Sequence, residues 1–284
     1  MELNLFKPLW GHPGTPGEAV EQALAAGFNG IEGPVPEEAG ERAAFKDLLQ
    51  SHNLKLIAEV TTGGGYVPRP TATPECHLAD LRRGIERSQA LSPVFINTQT
   101  GLDAWDLSLQ IRFFEQVLCL EDEYGITISV ETHRSRSTFH PWITRDILRA
   151  VPRLKITCDF SHWCCVTERL VMDDDPELLQ TMADRCHHLH ARVGYDQGPQ
   201  VPDPRAPEYG LAVARHRAWW EVIWETQRSA GRALSTMTPE FGTDGYLHLE
   251  PFTQKPVADL WELNSWMGRQ ARQWFAAIHQ PPVA

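Results

Sequence analysis

The sequence predicts an α/β protein built as a single (β/α)8 barrel, a TIM barrel, over residues 1–284. Three observations predict it. Short apolar runs alternate with helical patterns along the whole chain, which favours parallel strands joined by crossover helices. Eight such units can be counted, and 284 residues is an ordinary length for one closed barrel. No low-complexity tract or internal linker divides the chain into a second domain.

In order, the strand-like runs are residues 3–6, 28–32, 54–60, 94–99, 126–133, 154–159, 187–193 and 235–241. Helical patterns fill the intervals at 18–26, 37–52, 75–91, 142–150, 177–186, 212–229 and 257–278. The clearest helix carries the stripe Leu107, Ile111, Phe114 and Leu118, which ends before Tyr124 and Gly125. After the seventh strand comes the Pro-rich stretch 198–207, on the side where barrel enzymes build their sites, so a stiff wall to a pocket is expected there.

Composition narrows the function classes. Hydrophobic residues make up 42% and charged residues 22%, as in soluble globular proteins, and no apolar run nears the roughly 20 residues that span a bilayer. Glu2 and Pro8 do not fit a signal peptide, so a cytoplasmic location is expected. A formal net charge of −11 opposes a nucleic-acid partner. The six cysteines form no CxxC framework and read as reduced structural thiols, with a redox role for adjacent Cys164 and Cys165 the lesser alternative.

Alternation along the last four strands decides what points inward. In the fifth, Ile126, Ile128 and Val130 share one face while Thr127, Ser129, Glu131 and His133 share the other. The sixth opposes Leu154, Ile156 and Cys158 to Lys155, Thr157 and Asp159. The seventh aligns His188, His190 and Arg192, and the eighth aligns Thr236, Thr238 and Glu240. A lone strand-end Glu is most often solvated, and a lone inward His is more often hydrogen-bonded than metallated. Four adjacent strands supplying such groups at one depth shift the balance, because clustered carboxylates without a cation repel one another. Glu131, Asp159, His190 and Glu240 are therefore the expected ligands of one divalent metal ion. Three carboxylates and an imidazole suit Mn, Mg or Co, with Zn a further option.

The motifs Val130-Glu131-Thr132-His133, Cys158-Asp159-Phe160-Ser161-His162, His188-Leu189-His190-Ala191-Arg192 and Thr238-Pro239-Glu240-Phe241 resemble those of the xylose isomerase-like TIM-barrel superfamily. The resemblance spans essentially the whole chain and is strongest to the sugar phosphate isomerase/epimerase branch. That branch holds ketose 3-epimerases, hydroxypyruvate isomerases and inosose dehydratases, with endonuclease IV a distant relative. It implies a carbohydrate isomerase or epimerase that moves protons through a metal-stabilised enediolate, with Glu131 and Glu240 as both ligands and catalytic bases. His162 matches a histidine that lies beside the substrate in the epimerases. At two positions the chain departs from the epimerase pattern: Ser137 stands where a second Glu occurs, and Asp196 where an Arg occurs. Arg192 is then the candidate replacement cation, and the motifs name a chemistry more closely than a substrate.

Further substrate-binding candidates are His133, one strand step beyond Glu131, with His12 and Trp10 after strand one and Asn97 and Gln99 on strand four. Lys7, Glu32 and Glu59 are ordinary pocket candidates. Among the tryptophans, Trp10, Trp105, Trp142 and Trp163 lie near strand ends where sugar faces can stack, whereas Trp219, Trp220, Trp224, Trp261 and Trp266 read as helix packing or subunit contacts. The expected partner is a small carbohydrate, with no nucleic acid and no membrane; homo-oligomerisation is compatible with the resemblance. A lyase acting on an inosose or keto-glycoside is the nearest rival. An endonuclease-like phosphodiesterase would want more ligands and a basic groove, and a non-catalytic sugar-binding protein is the remaining alternative. Gly242 and Gly245 after strand eight sit where some barrels hold phosphate, but Asp244 between them weakens that reading.

Overall fold

A computed structural model describes residues 1–243 and 245–278; the expectation concerning Asp244 lies outside them. Eight parallel strands close into one barrel in sequence order. They are β1 (Glu2–Pro8), β2 (Gly30–Pro34), β3 (Lys55–Thr61), β4 (Phe95–Gln99), β5 (Ile128–Glu131), β6 (Lys155–Cys158), β7 (Cys186–His190) and β8 (Leu234–Thr238). Around them run α1 (Pro16–Ala25), α2 (Ala39–Ser51), α3 (Pro74–Gln89), α4 (Leu107–Tyr124), α5 (Pro141–Ala150), α6 (Ser161–Thr167), α7 (Pro176–Arg185), α8 (Gly210–Ser229) and α9 (Leu260–Ile278). No helix among the described residues is long and apolar enough to cross a membrane.

Alternation divides each strand between two environments. Leu5, Ile31, Ala58, Ile96, Val130, Ile156, Leu189 and Met237, one from each strand, belong to the apolar layer under the helices. Phe6, Ile57 and Phe95 form a separate cluster of their own. By alternation these three point inward and plug the floor of the barrel, where Phe6 and Phe95 meet the His188 ring at 6.3 and 5.4 Å. Trp219, Trp220 and Trp224 are buried on α8, as helix packing requires.

Element boundaries differ from the sequence reading in three instructive places. The strands bearing the motifs are shorter than expected, so Asp159 and Glu240 lie just beyond β6 and β8. Helix α6 follows β6 almost directly and was not expected. Its seven residues, Ser-His-Trp-Cys-Cys-Val-Thr, include several weak helix formers and are too few to show a period. The last helix starts at Leu260 because Leu249 and Pro256 pair in an antiparallel bridge that holds the preceding segment in a loop.

Candidate active site

Glu131 ends β5, Asp159 follows β6, His190 ends β7 and Glu240 lies two residues past β8. One ligand atom from each falls within 4.8 Å of the others, and all four side chains are buried. His190 Nδ1 is 2.8 Å from Glu240 Oε2 and 3.8 Å from Glu131 Oε2. Apart from that mutual contact, neither His190 Nδ1 nor Glu240 Oε2 has a hydrogen-bond partner, and both are buried. Two buried donor atoms that face each other in a nest of carboxylates fit a hard divalent cation.

Electrostatics make the same case. Burial pushes Glu131 up to about 8; the neighbouring His190 opposes this, and the Glu240 and Asp159 charges add to it. Burial alone would lower His190, yet Glu240, Glu32 and Glu131 together carry it well above its ordinary value. A cation among these groups would relieve the repulsion and compete with the protons.

The other side of the His190 ring is anchored from below. Glu32 Oε1 lies 3.0 Å from His190 Nε2, and Glu32 Oε2 lies 3.1 Å from His188 Nε2. Thr238 also donates to Glu32, and Asn97 Nδ2 donates to Glu32 at 3.0 Å and to Glu131 at 3.2 Å. Gln99 Nε2 donates to Glu131 at 3.1 Å. A carboxylate behind a ligating imidazole fixes its orientation and its tautomer, leaving Nδ1 free to bind a cation. Asn97 thus positions two carboxylates from beneath, and Gln99 both steadies Glu131 and reaches the cavity.

Asp159 is the most committed of the four. Its Oδ1 accepts from the Ser161 backbone at 3.0 Å and from the Ser161 hydroxyl, which starts α6, while Oδ2 accepts from Arg192 Nη2. The same Nη2 lies 3.5 Å from Glu240 and 2.8 Å from His162 Nε2. A guanidinium only donates, so His162 accepts at Nε2 and carries its proton on Nδ1. Burial, then the charges of His133 and Arg192, keep His162 well below its ordinary pKa and neutral.

Above this layer lies a cavity of about 30 Å³ bordered by Trp10, Glu59, Tyr66, Gln99, His133, Arg192 and Glu240. Rings from three different loops roof it. Trp10 stacks on Tyr66 at 6.2 Å and meets Tyr246 edge-on at 5.1 Å. The Tyr66 and Tyr246 hydroxyls touch, and Tyr66 continues to His133 Nε2 at 3.1 Å. Arg192 lies under Tyr246 and Trp10, 4.6 and 5.4 Å from the ring centres. Gly242 makes room for this roof, because a Cβ there would come within 1.8 Å of the Trp10 ring. Arg136 ties down the Tyr66 loop by donating to the Thr62, Gly65 and Tyr66 carbonyls at 2.7, 2.7 and 2.8 Å.

Several sequence candidates sit elsewhere. His12 binds the Thr15 carbonyl at 3.0 Å and lines an outer groove with Lys7, whose amine faces the Trp261 ring at 4.7 Å; neither borders the cavity. Trp105 packs on His77 and Phe113, Trp142 on His140, and Trp163 is buried with its indole N–H on the Thr138 carbonyl, so Trp10 is the one of the four that roofs the cavity. Ser137 is buried against Gly101, and Asp196 is exposed on the turn after β7. Tyr66, Tyr246 and Arg136 were missed. Their only signal is indirect: the glycines of Gly63-Gly64-Gly65, all at positive φ, mark a loop that packs close to something. All six cysteines are free thiols.

A closed parallel barrel that gathers three carboxylates and an imidazole at the C-terminal ends of its strands defines a class of barrel with a candidate metal centre. The family is then plain: a model described as a xylose isomerase-like TIM barrel matches residues 20–216, and the chain belongs to that family. A comparison with curated protein sequences finds no match. Among solved structures, the chain is similar to a xylose isomerase-like TIM barrel protein from Mycobacterium smegmatis in complex with magnesium (TM-score 0.67, 12% identity, covering 98% of each chain). It is also similar to D-psicose 3-epimerase with D-tagatose from Clostridium cellulolyticum (0.61, 13%, 99% of this chain and 100% of that one). Endonuclease IV from Thermus thermophilus matches as well (0.57, 15%, 96% and 99%).

Proposed function

We propose that the chain is a divalent-metal-dependent sugar isomerase or epimerase. The observation that carries this reading is the convergence of buried ligand atoms from Glu131, Asp159, His190 and Glu240 within 4.8 Å of one another. These four residues would hold the ion. When bound, it supplies a Lewis acid that acidifies the carbon next to a sugar carbonyl. The epimerase and the magnesium-bound barrel among the similar structures support the reading.

The protein's own groups do the rest. Glu240 borders the cavity and would exchange a proton with the substrate carbon, and Glu131, three strands away around the barrel, would serve the other side. Arg192 lies buried among Asp159, Glu240 and His162, where it would orient substrate oxygens and offset developing negative charge. The roof of Trp10, Tyr66 and Tyr246 would exclude water during the proton transfer. A cavity of about 30 Å³ holds little more than one water, so those rings must part to admit a sugar. The overall formal charge of −11 disfavours the phosphodiesterase reading.

The test is a panel of ketoses, hydroxypyruvate, inosose and keto-glycosides with added Mn²⁺, read by NMR in deuterated water. We expect deuterium at a carbon next to the carbonyl, about one divalent ion per purified chain, and no exchange in Glu240→Gln. Exchange unchanged in that variant would sink the mechanism, and an elimination product would move the assignment to a lyase.

A further inference from the structure

By strand alternation, Ile57, Glu59 and Thr61 of β3 share the inward face, so Glu59 stands directly above the Ile57 of the floor plug. Its register partners are Pro34 on β2 and Asn97 on β4. Glu59 borders the closed cavity. Around it, Gln99 bonds Glu131 through Nε2, Arg192 bonds Asp159 and His162 through Nη2, and Tyr66 bonds His133, which leaves Gln99 Oε1 and Arg192 Nη1 buried without a hydrogen-bond partner. Glu59 itself has no hydrogen bond or ion pair with any described residue. On its outer side runs a groove with Arg83 and Arg87, but these cations pair with Asp80 and Glu37. An ordinary salt bridge therefore does not account for the residue.

Its place around the barrel indicates what it meets. β3 stands two strands from β5, which carries Glu131, and Asn97, the β4 partner of Glu59, donates to that residue. A ligand held at the four-residue cluster therefore meets Glu59 across the cavity that it shares with Glu240. A carboxyl group presents two oxygens side by side, and in either protonation state it can pair with two neighbouring hydroxyls. We propose that Glu59 is a further substrate-binding residue that holds vicinal hydroxyls of a sugar bound at the ligand cluster. The assignment rests on the sugar-acting reading above.

The experiment is calorimetric titration of the Mn²⁺-loaded protein with D-glucitol, in wild type, Glu59→Ala and Glu59→Gln. Losing both carboxyl contacts should weaken D-glucitol binding by about tenfold or more. Glu59→Gln, which keeps a donor and an acceptor in the same volume, should recover part of that loss. The proposal is overturned if Glu59→Ala binds D-glucitol within about twofold of wild type, or if the wild type does not bind D-glucitol. If binding follows the expected pattern and no ketose is converted, the isomerase reading falls and the role of Glu59 stands.

Discussion

Glu32 and Glu240 grip the two nitrogens of one imidazole: Glu32 Oε1 lies 3.0 Å from His190 Nε2, and Glu240 Oε2 lies 2.8 Å from Nδ1. The first contact comes from beneath the candidate metal centre and the second from within it. Glu32 is also held by Asn97, His188 and Thr238, so its orientation does not depend on a bound ion.

Glu32→Gln should therefore weaken metal binding without touching the ligand set. Outer carboxylates of this kind are worth about 10- to 100-fold in metal affinity. Mn²⁺ titration of the metal-free variant measures it, and an affinity equal to wild type would show that the His190 ring needs no such anchor.

Metal binding should release protons at neutral pH. Glu131 is raised to about 8 in the protein without a cation, by burial first, so at pH 7 it is largely protonated and the ion must displace that proton. Apparent affinity should rise with pH through about 8, since His190 is likewise raised and must also give up a proton. Calorimetry in buffers of different ionisation enthalpy reads the proton release directly; a pH-independent affinity would contradict it.

The same shift has a consequence for stability. A carboxyl whose folded pKa lies above its unfolded value favours folding at low pH, and that contribution is lost as pH rises through the folded pKa. Glu131 and Glu59, both raised to about 8 by burial, have this sign. The metal-free protein should lose stability between about pH 4.5 and 8, and added Mn²⁺ should flatten the dependence. Thermal unfolding with and without the ion checks this; parallel curves would refute it.

Gly242→Ala should damage the cavity roof while leaving the barrel folded. The new methyl would overlap the Trp10 ring, and Trp10 is confined by Tyr66, Tyr246 and Arg192. Overpacking of this sort costs about 1–3 kcal/mol. Chemical denaturation should show that loss, together with a raised KM for whichever panel compound turns over. A variant equal to wild type in both would mean that the roof is not rigid.

Arg136→Met should loosen the Tyr66 loop. It leaves three carbonyls, those of Thr62, Gly65 and Tyr66, without their buried donor. Of these three residues only Thr62 is buried, so that unmade bond costs about 1–3 kcal/mol, while water can reach the exposed Gly65 and Tyr66. Hydrogen exchange of the 63–66 backbone should speed up well before that of β5 does. Equal protection in the two proteins would show that the loop is held by other contacts.

What the sequence disclosed follows from periodicity. Alternation aimed Glu131, His190 and Arg192 inward because these residues lie on or next to regular strands, and the same two-residue step carried Asp159 and Glu240 to the mouth. It also put Glu32, Asn97 and Glu59 on inward faces, but it could not rank them by height in the barrel. Asn97 consequently read as a sugar contact when it holds carboxylates from below. Residues on loops have no period. His12 sits only two positions from Trp10 yet turns to its own Thr15 carbonyl, and Tyr66 and Tyr246 come together only because the barrel brings the β3 and β8 loops to one rim. Helix α6 was hidden for a related reason, since its first residue, Ser161, is held by donating to Asp159 and no apolar stripe announces it.

The floor plug of Phe6, Ile57 and Phe95 gives the barrel a blind end. With the aromatic roof shut, a hydrogen lifted from substrate has no downward exit and meets little water above. Isotope bookkeeping should then betray the architecture: the lifted hydrogen should wash out into solvent more slowly than the substrate turns over, and washout should quicken in variants whose roof stands open.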